Sequence, residues 1–190
     1  MDVQVLIATM NQTDHSLPEK MNIQTDALVG NQNGTFSVEE FDFKDNKIVY
    51  FNSNEVGVGL NRNTTLMRAS GDICLFADDD MVYVDGYADI IADAFRRHPD
   101  ADVIVFNIKG RSYIKTSSRV NVFNFLRYGT ARIAFRLNRI RENGIFFNLC
   151  FGGGTPHSHG EDNLFLSDCL KKGLKVYAEP ILVAELINDR

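Results

Sequence analysis

Apolar runs recur along the chain at intervals that suit alternating strands and helices. Val3 to Ala8 is mostly apolar and β-branched, which predicts a buried first strand. Asn11 to Asn22 is polar and holds Pro18, so it reads as a loop carrying a short helix. "IQTDALVG" (23–30) supplies a second strand and "NQNG" (31–34) a turn-rich stop, and Lys47 to Asn52 forms another short strand. Gly57 and Gly59 then loosen the backbone ahead of a helix over Leu60 to Ala69, with Gly71 near its exit.

Ile73 to Ala77 is a greasy strand that runs straight into Asp78, Asp79 and Asp80. "DGYADIIADAFRRHPD" places Ile90, Ile91, Ala94 and Phe95 at helical spacing, with basic residues in its last turn and Pro99 beyond. "ADVIVFNIK" is a further buried strand. Between Lys109 and Phe147 no period dominates, although Phe123, Phe125, Leu126, Ile133, Phe135 and Leu137 are too many apolar side chains for a disordered segment. "CFGGGTPHSHGED" reads as a loop, "DNLFLSDCLKKG" as a helix stopped by Gly173, and "LKVYAEPILVAEL" as a closing strand. Strands alternating with helices predict an α/β layered domain with a largely parallel sheet. Ligands of such sheets sit beyond the carboxyl ends of the strands, where the triple aspartate falls.

Composition narrows the class. The chain has 190 residues, 44% hydrophobic and 24% charged, ordinary values for one globular domain. Met1-Asp2 leads directly into the first strand without a basic n-region, so no secretory signal is expected, and no run reaches membrane-spanning length. Cys74, Cys150 and Cys169 are odd in number and lack Cys-x-x-Cys spacing, which favours reduced thiols over disulfides or zinc. These features lead to an expected cytoplasmic location, extending to the inner face of the membrane as a peripheral protein.

The formal net charge of −5 hides an asymmetry. Lys109, Arg111, Lys115, Arg119, Arg127, Arg132, Arg136, Arg139 and Arg141 are nine basic residues with no acidic one among them, which leaves 11 basic against 25 acidic elsewhere. Such a block suits an anionic partner, either an anionic molecule or an acidic membrane surface touched peripherally through 109–141. A solvated face that balances the acidic remainder is the other reading of it.

The three aspartates pose the sharpest chemical question. Buried or crowded carboxylates are costly without a cationic partner, and a hard divalent ion prefers one or two carboxylates plus substrate phosphates. On an extended backbone Asp78 and Asp80 share one face and Asp79 turns away. Aspartates also end strands simply because they favour turns.

"GVGLNRNTTLMRASGDICLFADDDM" (57–81) together with "GEDNLFLSDCLKKGLKVYAEP" (160–180) resembles the family 2 glycosyltransferases. The resemblance covers residues 3 to 185. It implies a GT-A (nucleotide-diphospho-sugar transferase) fold, a Rossmann-like, mostly parallel sheet flanked by helices, in one domain over 1–190. A nucleotide-sugar half would occupy about 1–108 and an acceptor half 109–190. The implied activity is a metal-dependent, inverting transfer of a sugar from a nucleotide-diphosphate donor, a UDP-sugar by expectation, to a saccharide or lipid-linked acceptor. Asp78 and Asp80 would form the Asp-x-Asp motif, both holding Mg2+ or Mn2+, with Asp80 the principal ligand. Thr9, Arg62, Asp78 and Asp79 would contact the nucleotide sugar.

Asp162 matches the catalytic base that takes the acceptor hydroxyl's proton; with Glu161 it could equally cap a helix. His157 and His159 could touch acceptor or phosphate; the other reading of "FGGGTPHSHGED" is a plain mobile loop. The family often ends its second strand in an acidic turn that binds the base. This chain has "VGNQNGT" (29–35) there, with Asn31 or Gln32 as substitutes. A nucleotidyltransferase would show a Gly-rich loop with Lys or Arg after its first strand, and "ATMNQTDHS" (8–16) has neither. A nucleotide-sugar-binding module without transfer is the alternative from a different class. No nucleic-acid partner is expected.

Overall fold

The structure, a computed structural model, describes residues 1–110 and 113–187; Arg111 of the basic block and the last three residues of "AELINDR" lie outside that range. A twisted mixed sheet organises the chain. Its strands are β1 (Val3–Met10), β2 (Ala27–Gln32), β3 (Ser37–Phe43), β4 (Asn46–Ser53), β5 (Ile73–Asp78), β6 (Met81–Tyr83), β7 (Val103–Lys109), β8 (Ser118–Arg119), β9 (Ile133–Arg136) and β10 (Val176–Leu186). The helices are α1 (Leu17–Lys20), α2 (Val58–Arg68), α3 (Tyr87–Arg97), α4 (Leu137–Glu142) and α5 (Glu161–Lys171).

Strand order is β3-β4-β2-β1-β5-β9-β7-β10-β6, with β8 against β10. The β4-β2-β1-β5 run and the β7-β10 pair are parallel. The chain leaves β1 toward β2 on one side and later returns to β5 on the other. That makes the β1/β5 boundary the switch point where ligands of open α/β sheets bind. Ala8 lies opposite Asp78 in this register, so Thr9 and the aspartates emerge side by side.

Burial on both faces of the central strands follows from their sequence. Val5 and Ile7 of β1, with Ile73 and Leu75 of β5, face a layer built around Ile91 and Phe95 of α3. Leu6, Cys74 and Phe76 face the opposite layer with Leu66 of α2 and Phe165 of α5. Alternate side chains thus enter alternate layers, as pleated geometry requires, and nearly every residue must be apolar. Cys74, in the middle of β5, is fully buried. Phe76 stands among Phe135, Phe147 and Phe165, with ring centroids 4.7, 5.0 and 5.4 Å away. Burying such a ring contributes on the order of 2–3 kcal/mol.

Several elements depart from the sequence reading. The "NQNG" stop begins two residues late, because Asn31 and Gln32 still pair with Asn52 and Ser53 of β4. β3 is an exposed edge strand whose polar sequence hid it. It forms a hairpin with β4 through Lys44 and Asp45, both at positive φ (49° and 65°), as a two-residue turn between twisted strands demands. In the unassigned stretch, β9 inserts antiparallel between β5 and β7, so its four residues were too few for a visible period.

The basic block does not form one surface. Lys109 pairs with Glu185, Arg139 with Asp102 and Glu142, and Arg141 caps the carbonyls of Met67 and Ala69 at the end of α2. Arg132 is buried and Arg136 spends its guanidinium on the carbonyls of Ala101 and Phe95. Most of these cations therefore serve structure.

Candidate active site

Beyond the carboxyl ends of β1 and β5 lie two cavities that share a single wall, the side chain of Asp78. The larger, about 340 Å³, is lined by Thr9, Gln32, Asn61, the three aspartates 78–80 and Gly153-Gly154. The smaller, about 180 Å³, is lined by Asp78, Arg127, Gly129, Thr130, Arg132 and Asp162.

Arg62 holds this boundary together. Its Nη2 donates to Asp78 Oδ1 at 2.8 Å, and its Nη1 to Glu161 Oε1 and Asp162 Oδ1 at 3.1 and 3.2 Å. The side chain is only 6% exposed, so Arg62 is no surface helix arginine. Burial alone would disfavour its charge, but Asp78, Asp162 and Glu161 outweigh that and raise its pKa. One guanidinium, with its fork of donors, thus gathers three carboxylates whose mutual repulsion would otherwise be severe. Below it, the Phe147 ring lies 5.4 Å from the guanidinium carbon. The aromatic core ends under the site and fixes its floor.

Helix α2 aims Arg62 through its two neighbours. Asn61 Nδ2 donates to the carbonyls of Thr9 and Gly30 at 3.0 and 2.9 Å, clamping α2 to β1 and β2. A Cβ on Gly30 would sit 1.7 Å from Asn61 Oδ1, so only glycine permits that clamp. Asn63 exchanges two hydrogen bonds with the backbone of Phe147. Asparagines on either side of an arginine were the available signal for this bracket, but Asn61 was not singled out from the sequence.

The aspartates do not alternate. β5 ends at Asp78, and Asp79 and Asp80 form a turn, so strand periodicity no longer dictates their directions. Asp79 faces the larger cavity with its neighbours and accepts a hydrogen bond of 2.6 Å from Thr9 Oγ1. The expectation that Asp79 turns away fails for this reason. Thr9 also accepts from Gln12 Nε2 at 3.0 Å.

Asp162 lies in the first turn of α5 and not at its cap. Gly160 is the N-cap residue and no side chain caps the helix. Thr130 donates its hydroxyl to Asp162 Oδ1, and a Cβ on Gly129 would approach Oδ2 to 3.2 Å. Burial raises the pKa of Asp162, with Glu161 and Asp78 adding to the shift, while Arg62 and the Thr130 backbone oppose it without reversing it. A carboxylate made more basic at a cavity wall is suited to taking a proton. Thr130 and Gly129 were missed from sequence because they lie in a stretch without period.

Other expected residues fall elsewhere. His157 stacks on Phe151 at 4.9 Å and His159 bonds Ser158; neither lines either cavity. Asn31 is buried with its amide committed to Gln12 and Asn52, so it braces the strands. Gln32 does line the larger cavity, and its Nε2 donates to the Gly57 carbonyl.

The residues at the larger cavity suit a hard divalent ion. They offer carboxylate oxygens, and Asp78 commits only one of its own to Arg62. Among the described residues no group of three His, Cys, Asp or Glu side chains forms a complete cage. A bound ion would draw its remaining ligands from phosphate and water, the usual arrangement for Mg2+.

Sheet, switch point and the carboxylate-lined cavities beyond it give the chain the GT-A fold. The sequence profile for "Glycosyl transferase family 2" matches residues 36–156, and the chain belongs to that family. The match takes in Arg62 and the aspartates, whereas Thr9 and Asp162 join the site through geometry alone. No curated protein sequence matches the chain.

Among solved structures, the crystal structure of S. aureus TarS superposes with a TM-score of 0.75 at 16% identity, covering 98% of this chain and 36% of that one. TarS 1–349 in complex with UDP-GlcNAc gives 0.73 at 18% identity, covering 100% and 59%. The UDP complex gives 0.73 at 17%, covering 97% and 60%. The chain therefore spans between about a third and three fifths of these relatives, and at such identity the likeness establishes the fold.

Proposed function

We propose that this protein is a metal-dependent, inverting glycosyltransferase that moves a sugar from a nucleoside-diphosphate donor to an acceptor hydroxyl. The observation that carries the reading is the shared wall. Asp78 borders a cavity floored by the triple aspartate and also one that contains a basic carboxylate, Asp162. Donor diphosphate in the first and acceptor in the second would meet across Asp78. Family membership supports the chemistry, and the UDP and UDP-GlcNAc seen with TarS make a UDP-sugar the first donor to test.

Each residue then has a distinct task. Thr9 and Asp79, tied together, border the nucleotide end, and Gln32 supplies an amide where relatives place an acid. Asp80 and the second oxygen of Asp78 would hold Mg2+ or Mn2+, which when bound offsets charge on the departing diphosphate. Asp162 takes the proton of the acceptor hydroxyl as that oxygen bonds to the anomeric carbon. The bond from the same carbon to the diphosphate oxygen breaks on the opposite face, inverting the configuration. Arg62 does not touch the reacting atoms; it fixes Asp78 and Asp162 at a constant separation and keeps Glu161 from repelling them.

Calorimetry of UDP- and GDP-sugars with and without Mn2+, followed by turnover with saccharide and lipid-linked acceptors, tests the proposal. Metal-dependent binding with turnover is expected. Binding without turnover of any acceptor would instead assign a nucleotide-sugar-binding module, and no binding at all would remove the donor site.

A further inference from the structure

We infer that the segment from Lys115 to Arg127 is a surface that docks on anionic lipid bilayers beside the smaller cavity. Most of the basic block is consumed by internal contacts, as described above. What it leaves is concentrated here. Lys115, Arg119 and Arg127 are exposed, and Lys115 and Arg127 form no ion pair with any described residue. Arg119 lies over Tyr177 at 5.6 Å and stays exposed.

Between these cations the chain displays apolar side chains instead of hiding them. Phe123 is 93% exposed, Leu126 68% and Val122 63%. This is not a slack loop. Ile114, Val120 and Tyr128 are buried on either side and pin the segment to the core. The tip is an ordered turn: Asn121 Oδ1 accepts from Phe123 N at 2.9 Å, and Asn124 Oδ1 from Asn121 N at 2.8 Å. An ordered turn that holds large apolar groups in water is unfavourable unless something covers them.

Charge selects the occupant. No acidic residue occurs between Lys109 and Arg141, so the segment that carries the apolar tip brings positive charge and no acid of its own to offset it. Apolar groups that enter the acyl boundary, flanked by Lys and Arg at the headgroups, are the chemistry of interfacial binding. Among the described residues no helix is long and apolar enough to cross a membrane. Arg127 ties the surface to the site, because it ends the turn of Phe125–Arg127 and also lines the cavity that holds Asp162. A bilayer seated here would bring membrane-borne hydroxyls to that cavity.

The test is co-sedimentation of the purified chain with phosphatidylglycerol/phosphatidylcholine vesicles and with pure phosphatidylcholine vesicles. It reads binding alone, so failure of the transfer reaction would not be mistaken for failure of this surface. Binding is expected to the anionic vesicles only, weakening as salt rises. Phe123→Ser with Leu126→Ser should lower partitioning by about tenfold or more, and each of Lys115→Ala and Arg119→Ala roughly fivefold, with unchanged circular dichroism. Arg127 is left intact because it borders the proposed acceptor site. Absence of binding, or equal binding to both vesicles that the variants leave untouched, would overturn the inference. So would a dimer in sedimentation velocity that Phe123→Ser with Leu126→Ser dissolves, since the turn would then be covered by a second copy.

Discussion

Arg62 and Asp162, one hundred residues apart in the chain, meet through a hydrogen bond of 3.2 Å. The same guanidinium reaches Asp78 at 2.8 Å, so one side chain sets the distance between the proposed donor and acceptor carboxylates.

Arg62→Ala should be the most destabilising single change at the site. It leaves Asp78, Glu161 and Asp162 clustered without their cation, a loss of about 3–5 kcal/mol for a broken buried pair. Asp162, already raised by burial, would lose the guanidinium that lowers its pKa and rise further, so the folded state binds an extra proton. The deficit should therefore shrink as pH falls toward the carboxylate range and be largest at neutral pH. Thermal melts of both proteins across pH 4–8 check this, and a pH-independent deficit would count against the hub.

Asp162→Asn should remove proton acceptance while keeping shape. Turnover is expected to fall roughly 10²–10⁴-fold, with donor binding by calorimetry unchanged. A variant that transfers sugar at the wild-type rate would strip Asp162 of its role.

The pH profile follows from burial. Asp162 must be ionised to accept a proton, and burial raises its pKa. The acid limb of kcat/KM should then lie above the ordinary aspartate range, with activity rising with pH through it. An acid limb at the position of a solvated aspartate would contradict the environment described for this side chain.

Asp80→Asn should abolish the Mn2+-dependent part of UDP-sugar binding, leaving the weaker metal-independent part. Titration with and without the ion reads it directly. If the metal-dependent increment survives, the ion sits elsewhere.

Gly30→Ala tests the clamp that aims α2. The new methyl would collide with Asn61 Oδ1, and overpacking of this kind costs about 1–3 kcal/mol. Donor affinity should fall with stability, because Asn61 also holds the Thr9 carbonyl. A melting temperature equal to wild type would mean that the clamp is dispensable.

Much of this protein was legible in its sequence. β1, β5 and β7 are largely apolar because both faces of a central strand are covered, and that leaves a run anyone can read. α3 is legible because its buried Ile91, Ala94 and Phe95 recur at helical spacing against a polar face. Asp78 to Asp80 stand out because acids at the end of such a run need a purpose. Thr9, Arg62 and Asp162 came from family resemblance, and the structure brings Arg62, Asp78 and Asp162 into direct contact while Thr9 bonds Asp79.

Other features had no local signature. β3 is polar because an edge strand exposes both faces, and β9 is short because its neighbours, not its own length, hold it in the sheet. The directions of Asp79 and Asp80 depended on where β5 stopped, which alternation cannot foresee. Whether nine cations make one patch or many separate contacts depends on distant partners such as Glu185, Asp102 and the α2 carbonyls. Periodicity and composition record what each residue needs from its surroundings, and so the sequence determined the layers and the chemistry. Which groups meet across a hundred residues is decided by packing, so the Arg62 hub and the double cavity exist only in three dimensions.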